Sequence, residues 1–117
     1  MKKILIVDDD ISFLQRLSSI VRKQFQTYEA AGVNDALKML ETVAVDAICS
    51  DFNMRDGTGL ELLKRLRLEG VHLPFLLMSG FDDTDIINEA HSFGASFCCK
   101  TDYDLIAKIK ALVNPEL

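Results

Sequence analysis

The chain alternates between short apolar runs and longer segments in which apolar residues recur every three or four positions. The apolar runs span residues 3–8, 27–31, 46–50, 73–78 and 95–99. Runs of this length are typical of buried strands, and the segments between them have the spacing of amphipathic helices. Because helix-length crossovers impose parallel pairing, the pattern predicts an α/β fold. We expect a three-layer, doubly wound domain of five β-α units around a five-stranded parallel sheet.

Local signals mark the beginnings of several predicted helices. Thr58 and Glu61 have the spacing of a capping box ahead of the third helix. Asn34 is expected to cap the second helix and Asp102 the fifth. The second predicted strand, residues 27–31, is short and partly polar, so we expect it near an edge of the sheet.

Polar residues stand where four of the apolar runs end. Asp8 and Asp9 follow the first run, Asp51 the third, Ser79 the fourth and Lys100 the fifth. In an open α/β sheet, ligands bind at the carboxyl ends of the strands. The sequence therefore places three carboxylates, a hydroxyl and an ammonium at one edge of the sheet. This set predicts a site for a divalent cation and a phosphoryl group, and its hard oxygen ligands favour Mg²⁺ over zinc.

Length and charge limit the alternatives. The 117 residues fit one domain, which we expect to span 1–117, with a core at 1–113 and a tail or the start of a linker at 114–117. A net charge of -5 with scattered basic residues argues against direct nucleic-acid binding by this segment. No stretch approaches the roughly 20 apolar residues of a membrane span, and no signal peptide precedes the first strand.

The cysteines indicate the compartment. There are three, an odd number, and all lie in predicted strands without the spacing of metal ligands. Adjacent Cys98 and Cys99 should point to opposite faces of the sheet and therefore should not form a disulfide. Together these features predict a reducing environment and a cytoplasmic protein.

Taken in order, these residues resemble the receiver domain of two-component response regulators, the CheY-like domains. The match covers essentially the whole chain. It rests on Asp8-Asp9, on Asp51 with Asn53, on Asp56-Gly57, on Ser79-Gly80, and on Phe97 with Lys100. The resemblance implies a flavodoxin-like fold with strand order 2-1-3-4-5.

The resemblance also implies a phosphoacceptor that catalyses only its own phosphorylation and dephosphorylation. Asp51 would take a phosphoryl group from a sensor histidine kinase or a histidine phosphotransfer protein. Mg²⁺ would be held by the carboxylates of Asp8, Asp9 and Asp51 and by the backbone carbonyl of Asn53. The chain would thus act in a phosphorelay.

Further roles follow from the same resemblance. Lys100, the Ser79 hydroxyl and the backbone amides of Phe52 and Gly80 would bind the phosphoryl oxygens. Ser79 and Phe97 would act as a switch that alters the surface of the fourth helix, fifth strand and fifth helix. That surface would contact an effector domain or a downstream protein, and a homodimer is left open.

The chain departs from the family pattern at two positions. Thr101 replaces the proline that usually follows the lysine of the fifth strand, so we expect a trans Lys100–Thr101 bond and a rearranged loop. Arg55 stands where the family often has proline, and its guanidinium is either a solvated loop charge or a neighbour of the phosphoryl group.

Two other functions remain open at this point. The first is a phosphorylation-poor receiver that acts as a protein-interaction module, an alternative that Thr101 suggests. The second is a Mg²⁺-dependent phosphatase of the haloacid dehalogenase type, with Asp8 as nucleophile and Asp10 as acid/base. The phosphatase hypothesis leaves Asp51 without a role. It also needs an acidic pair at a strand end, whereas Asp102 and Asp104 stand at the start of a predicted helix.

Overall fold

Five parallel strands, β1 to β5 in chain order, form the central sheet of the computed structural model, which describes residues 1–115. The strands are β1 (Lys3–Val7), β2 (Gln26–Ala30), β3 (Ala47–Asp51), β4 (Phe75–Ser79) and β5 (Ser96–Cys99). The helices are α1 (Ile11–Val21), α2 (Val33–Thr42), α3 (Gly59–Leu68), α4 (Thr84–Ser92) and α5 (Leu105–Val113). Across the sheet the order is β2-β1-β3-β4-β5. The predicted α/β fold and strand order are both confirmed.

The sheet is buried on both faces, which explains the near-continuous apolar runs. Ile4, Leu5, Ile6 and Val7 of β1 are all fully buried. Successive strand residues point to opposite faces, so Ile4 and Ile6 join one core cluster and Leu5 and Val7 join another. An all-parallel sheet needs helices over both faces to bury such strands.

Each face of the sheet is covered by its own set of helices. On one face α1 and α5 contribute Leu14, Leu17, Val21, Leu105, Ile109 and Val113. On the other face α2, α3 and α4 contribute Ala36, Leu62, Leu63, Leu66 and Ala90. Burying one leucine side chain stabilises a fold by roughly 1.5–3 kcal/mol, so these two layers hold the strand ends in fixed positions.

Features of the edge and of the cysteines also agree with the sequence. β2 lies at an edge of the sheet, and only Ala30 of this strand is buried. The three cysteines are free thiols, as expected for Cys98 and Cys99 on opposite faces. No helix within residues 1–115 combines the length and the apolar character needed to cross a membrane. The part of the predicted tail at 116–117 lies outside the described residues.

The cap predicted for α2 is wrong. Gly32 occupies the N-cap position, and the Asn34 side chain does not cap the helix. Instead the Asp56 carboxylate accepts hydrogen bonds from the backbone amides of Val33 and Asn34, both at 2.9 Å. These two bonds hold the pKa of Asp56 below its usual range, because they favour the ionised carboxylate.

The other predicted caps have mixed outcomes. Thr58 is confirmed as the N-cap of α3, since its Oγ1 accepts from the Glu61 amide at 3.1 Å, and its hydroxyl donates to Glu61 Oε1 at 3.3 Å. At α5 the N-cap is Asp104, and the Asp102 carboxylate accepts from the Asp104 amide in the preceding turn. Asp102 therefore orders the turn before α5 and does not cap the helix.

The segment between β3 and α3 forms a small hairpin. Residues Asn53–Met54 and Gly57–Thr58 pair as a two-stranded antiparallel hairpin. The hairpin leads directly into α3, which begins at Gly59. Arg55, in its turn, lies at the carboxyl end of the sheet, where its backbone amide donates to Asp9.

Candidate functional site

Three carboxylates converge where β1 and β3 end. β1 and β3 are adjacent, with Val7 paired to Ser50, so Asp8 and Asp51 follow side by side. Asp8, Asp9 and Asp51 each offer a carboxylate oxygen, and these oxygens all lie within 4.8 Å of one another. Asp8 is completely buried and Asp51 is 8% exposed. Pairing of neighbouring strands therefore builds the acidic cluster.

Backbone amides fix two of these carboxylates. Asp8 Oδ1 accepts from the Asp10 amide at 2.9 Å, within the turn that leads into α1. Asp9 Oδ2 accepts from the Arg55 amide at 2.9 Å, which ties the loop after β1 to the hairpin after β3. Asp10 points elsewhere, since its carboxylate caps α1 through the Phe13 amide at 3.2 Å. Arg55 thus contacts the cluster through its backbone amide.

Lys100 reaches the acidic cluster from the end of β5. Its Nζ lies 2.8 Å from Asp8 Oδ2 and 3.6 Å from Asp51 Oδ1, and the side chain is 17% exposed. The Lys100–Thr101 bond is trans, as expected, because no peptide bond within residues 1–115 is cis. With threonine in place of proline, Lys100 still contacts both buried carboxylates.

Burial and neighbouring charge raise the pKa of Asp51 from its ordinary 3.8 to about 6. Desolvation is the main cause, and the Asp8 carboxylate adds to it, while Lys100 lowers the pKa in the opposite direction. Two carboxylates about 4 Å apart repel by about 4 kcal/mol at an effective dielectric constant of 20. Three ionised carboxylates beside one ammonium carry two excess negative charges. A bound dication would balance these charges.

The residues at the cluster fit Mg²⁺. All the charged donors are carboxylate oxygens, which Mg²⁺ prefers. Asp8 Oδ2 is buried, and the Lys100 ammonium lies 2.8 Å from it. Burial raises the pKa of the Cys49 thiol, which therefore stays protonated and is not a ligand at neutral pH. Asn53 is exposed at the start of the hairpin.

The end of β4 forms one border of the site. Ser79 is 3% exposed, and its Oγ accepts from the Phe81 amide at 3.4 Å. A side chain at Gly80 would meet no atom within 4 Å, so the space beside this residue is open. The Phe52 amide donates to the Met78 carbonyl at 2.7 Å and is already used in the sheet.

Phe97 lies on the same face of the sheet as Ser79. Leu77 pairs with Phe97 and Ser79 with Cys99, so Ser79 and Phe97 are two positions apart on neighbouring strands. Phe97 is half-buried and packs against the core on the α4 side. It also lines a groove of about 530 Å³, together with His91, Ser96, Lys108 and Leu112.

Three residues that the sequence did not single out for these roles shape the site. Gly59 packs so closely that a Cβ would lie 2.3 Å from the Asp51 carbonyl oxygen. Asp56 ties the hairpin to α2. The Phe13 ring lies under the Lys100 ammonium, with Nζ 4.1 Å from the ring centroid. A glycine at the first position of a helix is a signal that could have identified Gly59, whereas Phe13 has the ordinary spacing of a core residue.

Comparison with known protein families matches residues 4–109 to the response regulator receiver domain. The chain is 30% identical over 95 residues to sporulation initiation phosphotransferase F of Bacillus subtilis, covering 80% of this chain and 77% of that protein. It is 27% identical over 116 residues to the cell cycle response regulator CtrA of Brucella ovis, covering 96% of this chain and 50% of CtrA. It is 34% identical over 95 residues to the transcriptional regulatory protein ZraR of Klebsiella oxytoca, covering 79% of this chain and 21% of ZraR. The chain thus spans half or less of these last two relatives.

Solved structures agree with the sequence comparison. The receiver domain of the Francisella response regulator 1452 superimposes with a TM-score of 0.90 at 26% identity, covering 100% of both chains. The chemotaxis protein CheY4 of Vibrio cholerae superimposes with a TM-score of 0.87 at 27% identity, covering 96% of this chain and 98% of that one. With the acidic cluster at the expected strand ends, this chain belongs to the response regulator receiver domain family of two-component systems.

Proposed function

We propose that Asp51 is the phosphoacceptor and takes its phosphoryl group from a sensor histidine kinase or a histidine phosphotransfer protein. The observation that carries the proposal is the convergence of Asp8, Asp9 and Asp51 within 4.8 Å, with Lys100 contacting two of them. Membership of the receiver family supports the same assignment. The chain would catalyse only its own phosphorylation and dephosphorylation.

The transfer step requires an ionised Asp51 and a stabilised phosphoryl group. An Asp51 carboxylate oxygen forms the new bond to phosphorus, while the phosphorus–nitrogen bond of the donor phosphohistidine breaks and its electron pair stays on the imidazole nitrogen. With a pKa of about 6, Asp51 is mostly ionised at neutral pH. The Lys100 ammonium, already beside Asp51, stabilises charge on the equatorial oxygens.

The carboxylates of Asp8, Asp9 and Asp51 would hold Mg²⁺, with the Asn53 carbonyl as a further ligand. When bound, the ion supplies positive charge that offsets both the carboxylates and the phosphoryl oxygens. The complete burial of Asp8 supports this assignment, because a buried carboxylate is costly unless positive charge lies beside it. The Arg55 amide holds Asp9 in place for this role.

The remaining phosphoryl oxygens would contact the end of β4. The Ser79 hydroxyl and the Gly80 amide are the donors we assign, and the open space at Gly80 supports access. The Phe52 amide is a weaker candidate, since it would have to leave the Met78 carbonyl first. Each preorganised donor of this kind contributes roughly 3 kcal/mol to the transition state.

The output would pass through Ser79 and Phe97 to the surface of α4, β5 and α5. Ser79 would move toward the phosphoryl group, and Phe97 would turn into the space it leaves. Because Phe97 lines the groove beside α4 and α5, its movement would change the shape offered to an effector domain, a downstream protein or a second copy. A phosphoryl group shifts the balance between two packings only through its differential contacts.

Other aspects of the proposal concern extent and setting. Residues 1–117 would be one receiver domain, either alone or within a longer regulator. We place it in the cytoplasm, because its three free cysteines suit a reducing compartment. The acidic net charge of -5 supports a protein partner over nucleic acid for this segment.

Intact mass after incubation with acetyl phosphate and Mg²⁺ tests the proposal. The wild-type chain should gain one phosphoryl group, and the gain should disappear with EDTA and in Asp51→Asn. Asp10→Asn is a matched control, since asparagine caps helices as well as aspartate and Asp10 lies outside the cluster. A phosphoryl group on the Asp51→Asn protein would refute the assignment. A wild-type protein that neither gains mass nor responds to beryllofluoride would instead be an interaction module.

The switch is tested separately with Ser79→Ala. This variant should still gain mass on Asp51, but the NMR signals of the Phe97 ring should no longer shift when beryllofluoride and Mg²⁺ are added. The wild-type protein is the reference for the shift. An equal shift of the Phe97 ring in both proteins would show that Ser79 does not transmit the change.

A further inference from the structure

The Lys100 ammonium has an aromatic neighbour in addition to its two carboxylates. Nζ lies 4.1 Å from the centroid of the Phe13 ring, 2.8 Å from Asp8 Oδ2 and 3.6 Å from Asp51 Oδ1. A lysine ammonium within about 6 Å of a ring face is attracted by the negative charge of that face, most strongly when water is excluded. At 17% exposure, the Lys100 side chain is largely shielded from water.

We propose that Phe13 is a positioning residue that holds the Lys100 ammonium against Asp8 and Asp51. A lysine side chain has four rotatable carbons and no fixed direction of its own. Here its tip lies close to both the ring and the carboxylates. This inference rests on the proposed role of Lys100 in phosphoryl transfer and names the residue that aims it.

The position of the ring follows from the start of α1. Asp10 caps this helix by accepting from the Phe13 amide at 3.2 Å, and Asp10 is adjacent to the acidic pair of Asp8 and Asp9. The turn that places the carboxylates therefore also places the ring. Phe13 is half-buried and packs against the core between α1 and α5, which limits its movement.

An aromatic face suits this task better than a third carboxylate would. It attracts the ammonium without adding another negative charge beside the phosphoryl group. In this chain Lys100 is followed by Thr101 in a turn, and threonine leaves the backbone freer than proline would. The ring supplies a constraint on the tip of the side chain that does not depend on this turn.

The variants separate positioning from packing. Phe13→Leu removes the ring but keeps an apolar side chain, while Phe13→Tyr keeps the ring face. Phe93→Leu is a matched control, because Phe93 lies under Lys64 at 5.7 Å, is also partly buried, and belongs to a different part of the surface. With acetyl phosphate and Mg²⁺, Phe13→Leu should be phosphorylated about five- to tenfold more slowly than wild type. Phe13→Tyr and Phe93→Leu should retain the wild-type rate.

NMR of the unphosphorylated protein provides a second measurement that needs no reaction. The ε-methylene protons of Lys100 should be shifted upfield by the ring current in the wild type and in Phe13→Tyr, and should return to ordinary lysine positions in Phe13→Leu. A wild-type Lys100 without the upfield shift overturns the inference, even if every variant fails to fold. So does an unchanged rate in folded Phe13→Leu.

The two proposals fail in different ways. A wild-type protein that is not phosphorylated refutes the assignment of Asp51 as phosphoacceptor, while the Lys100 signals still decide whether Phe13 holds the ammonium. A phosphorylated wild type with an equally fast Phe13→Leu refutes the positioning role alone.

Discussion

The cost of keeping Asp51 ionised in a buried cluster can be measured as a decrease in the free energy of unfolding. The folded pKa of about 6, against an ordinary 3.8, corresponds to about 3 kcal/mol at about 1.4 kcal/mol per pKa unit. Because the folded state binds this proton more tightly, stability decreases as the pH rises from about 4 to about 6. Above pH 6 the ionised carboxylate lowers the free energy of unfolding by its full amount, and below pH 4 the cost is absent.

Asp51→Asn removes this charge while keeping the shape of the side chain. In EDTA at pH 7.5 the variant should be more stable than wild type by up to about 3 kcal/mol, or about 10 °C in Tm for a domain of this size. The difference should shrink through pH 6 and be absent at pH 4. Mg²⁺ should reduce the stability difference between variant and wild type at pH 7.5, because the ion stabilises only the wild-type cluster.

Thermal and urea unfolding, followed by circular dichroism at pH 4, 5, 6 and 7.5, measure this difference. Asp82→Asn is the control, since Asp82 is exposed and its substitution removes the same charge away from the cluster. A variant no more stable than wild type at pH 7.5 would refute the reasoning. A gain that persists at pH 4 would also refute it, because it could not come from the ionised Asp51.

Two further predictions concern the loop that holds Asp51. Asp56→Ala should destabilise the protein by about 1 kcal/mol through loss of the α2 cap, and Asp56→Asn should lose less stability. Urea unfolding at pH 7 compares the two variants, and equal stability of Asp56→Ala and wild type would contradict the cap. Gly59→Ala should lower the free energy of unfolding by about 1–3 kcal/mol and slow phosphorylation, because its Cβ would lie 2.3 Å from the Asp51 carbonyl oxygen. Urea unfolding measures the stability and intact mass measures the phosphorylation rate. A variant equal to wild type in both measurements would show that the contact relaxes freely.

Much of the fold could be predicted because burial follows local periodicity. The run from Ile4 to Val7 is completely buried, and its continuous apolar character already indicated a parallel strand covered on both faces. The position of the site followed from one topological rule, that the carboxyl ends of parallel strands share an edge. That rule brought Asp8, Asp51 and Lys100 together without any knowledge of distances.

Contacts between distant segments could not be predicted in this way. Asn34 is of a residue type that favours helix caps, yet the amides at the start of α2 bind Asp56, which lies in the hairpin after β3. Asp102 likewise has a capping residue type, but the helix begins at a neighbouring turn. Capping propensity ranks residue types at a helix end. It does not account for a donor or acceptor that a distant segment of the chain supplies.

The sequence by itself determined that the strands are buried, where they end, and that three carboxylates, a hydroxyl and a lysine share one edge of a sheet. These properties depend on the order and spacing of side chains along the chain. The tertiary structure alone decided that the Lys100 ammonium contacts both Asp8 and the Phe13 ring, and that Asp56 joins the hairpin after Asp51 to α2. Such contacts depend on ångström-scale distances between separate elements, and those distances arise only when the helices pack on the sheet.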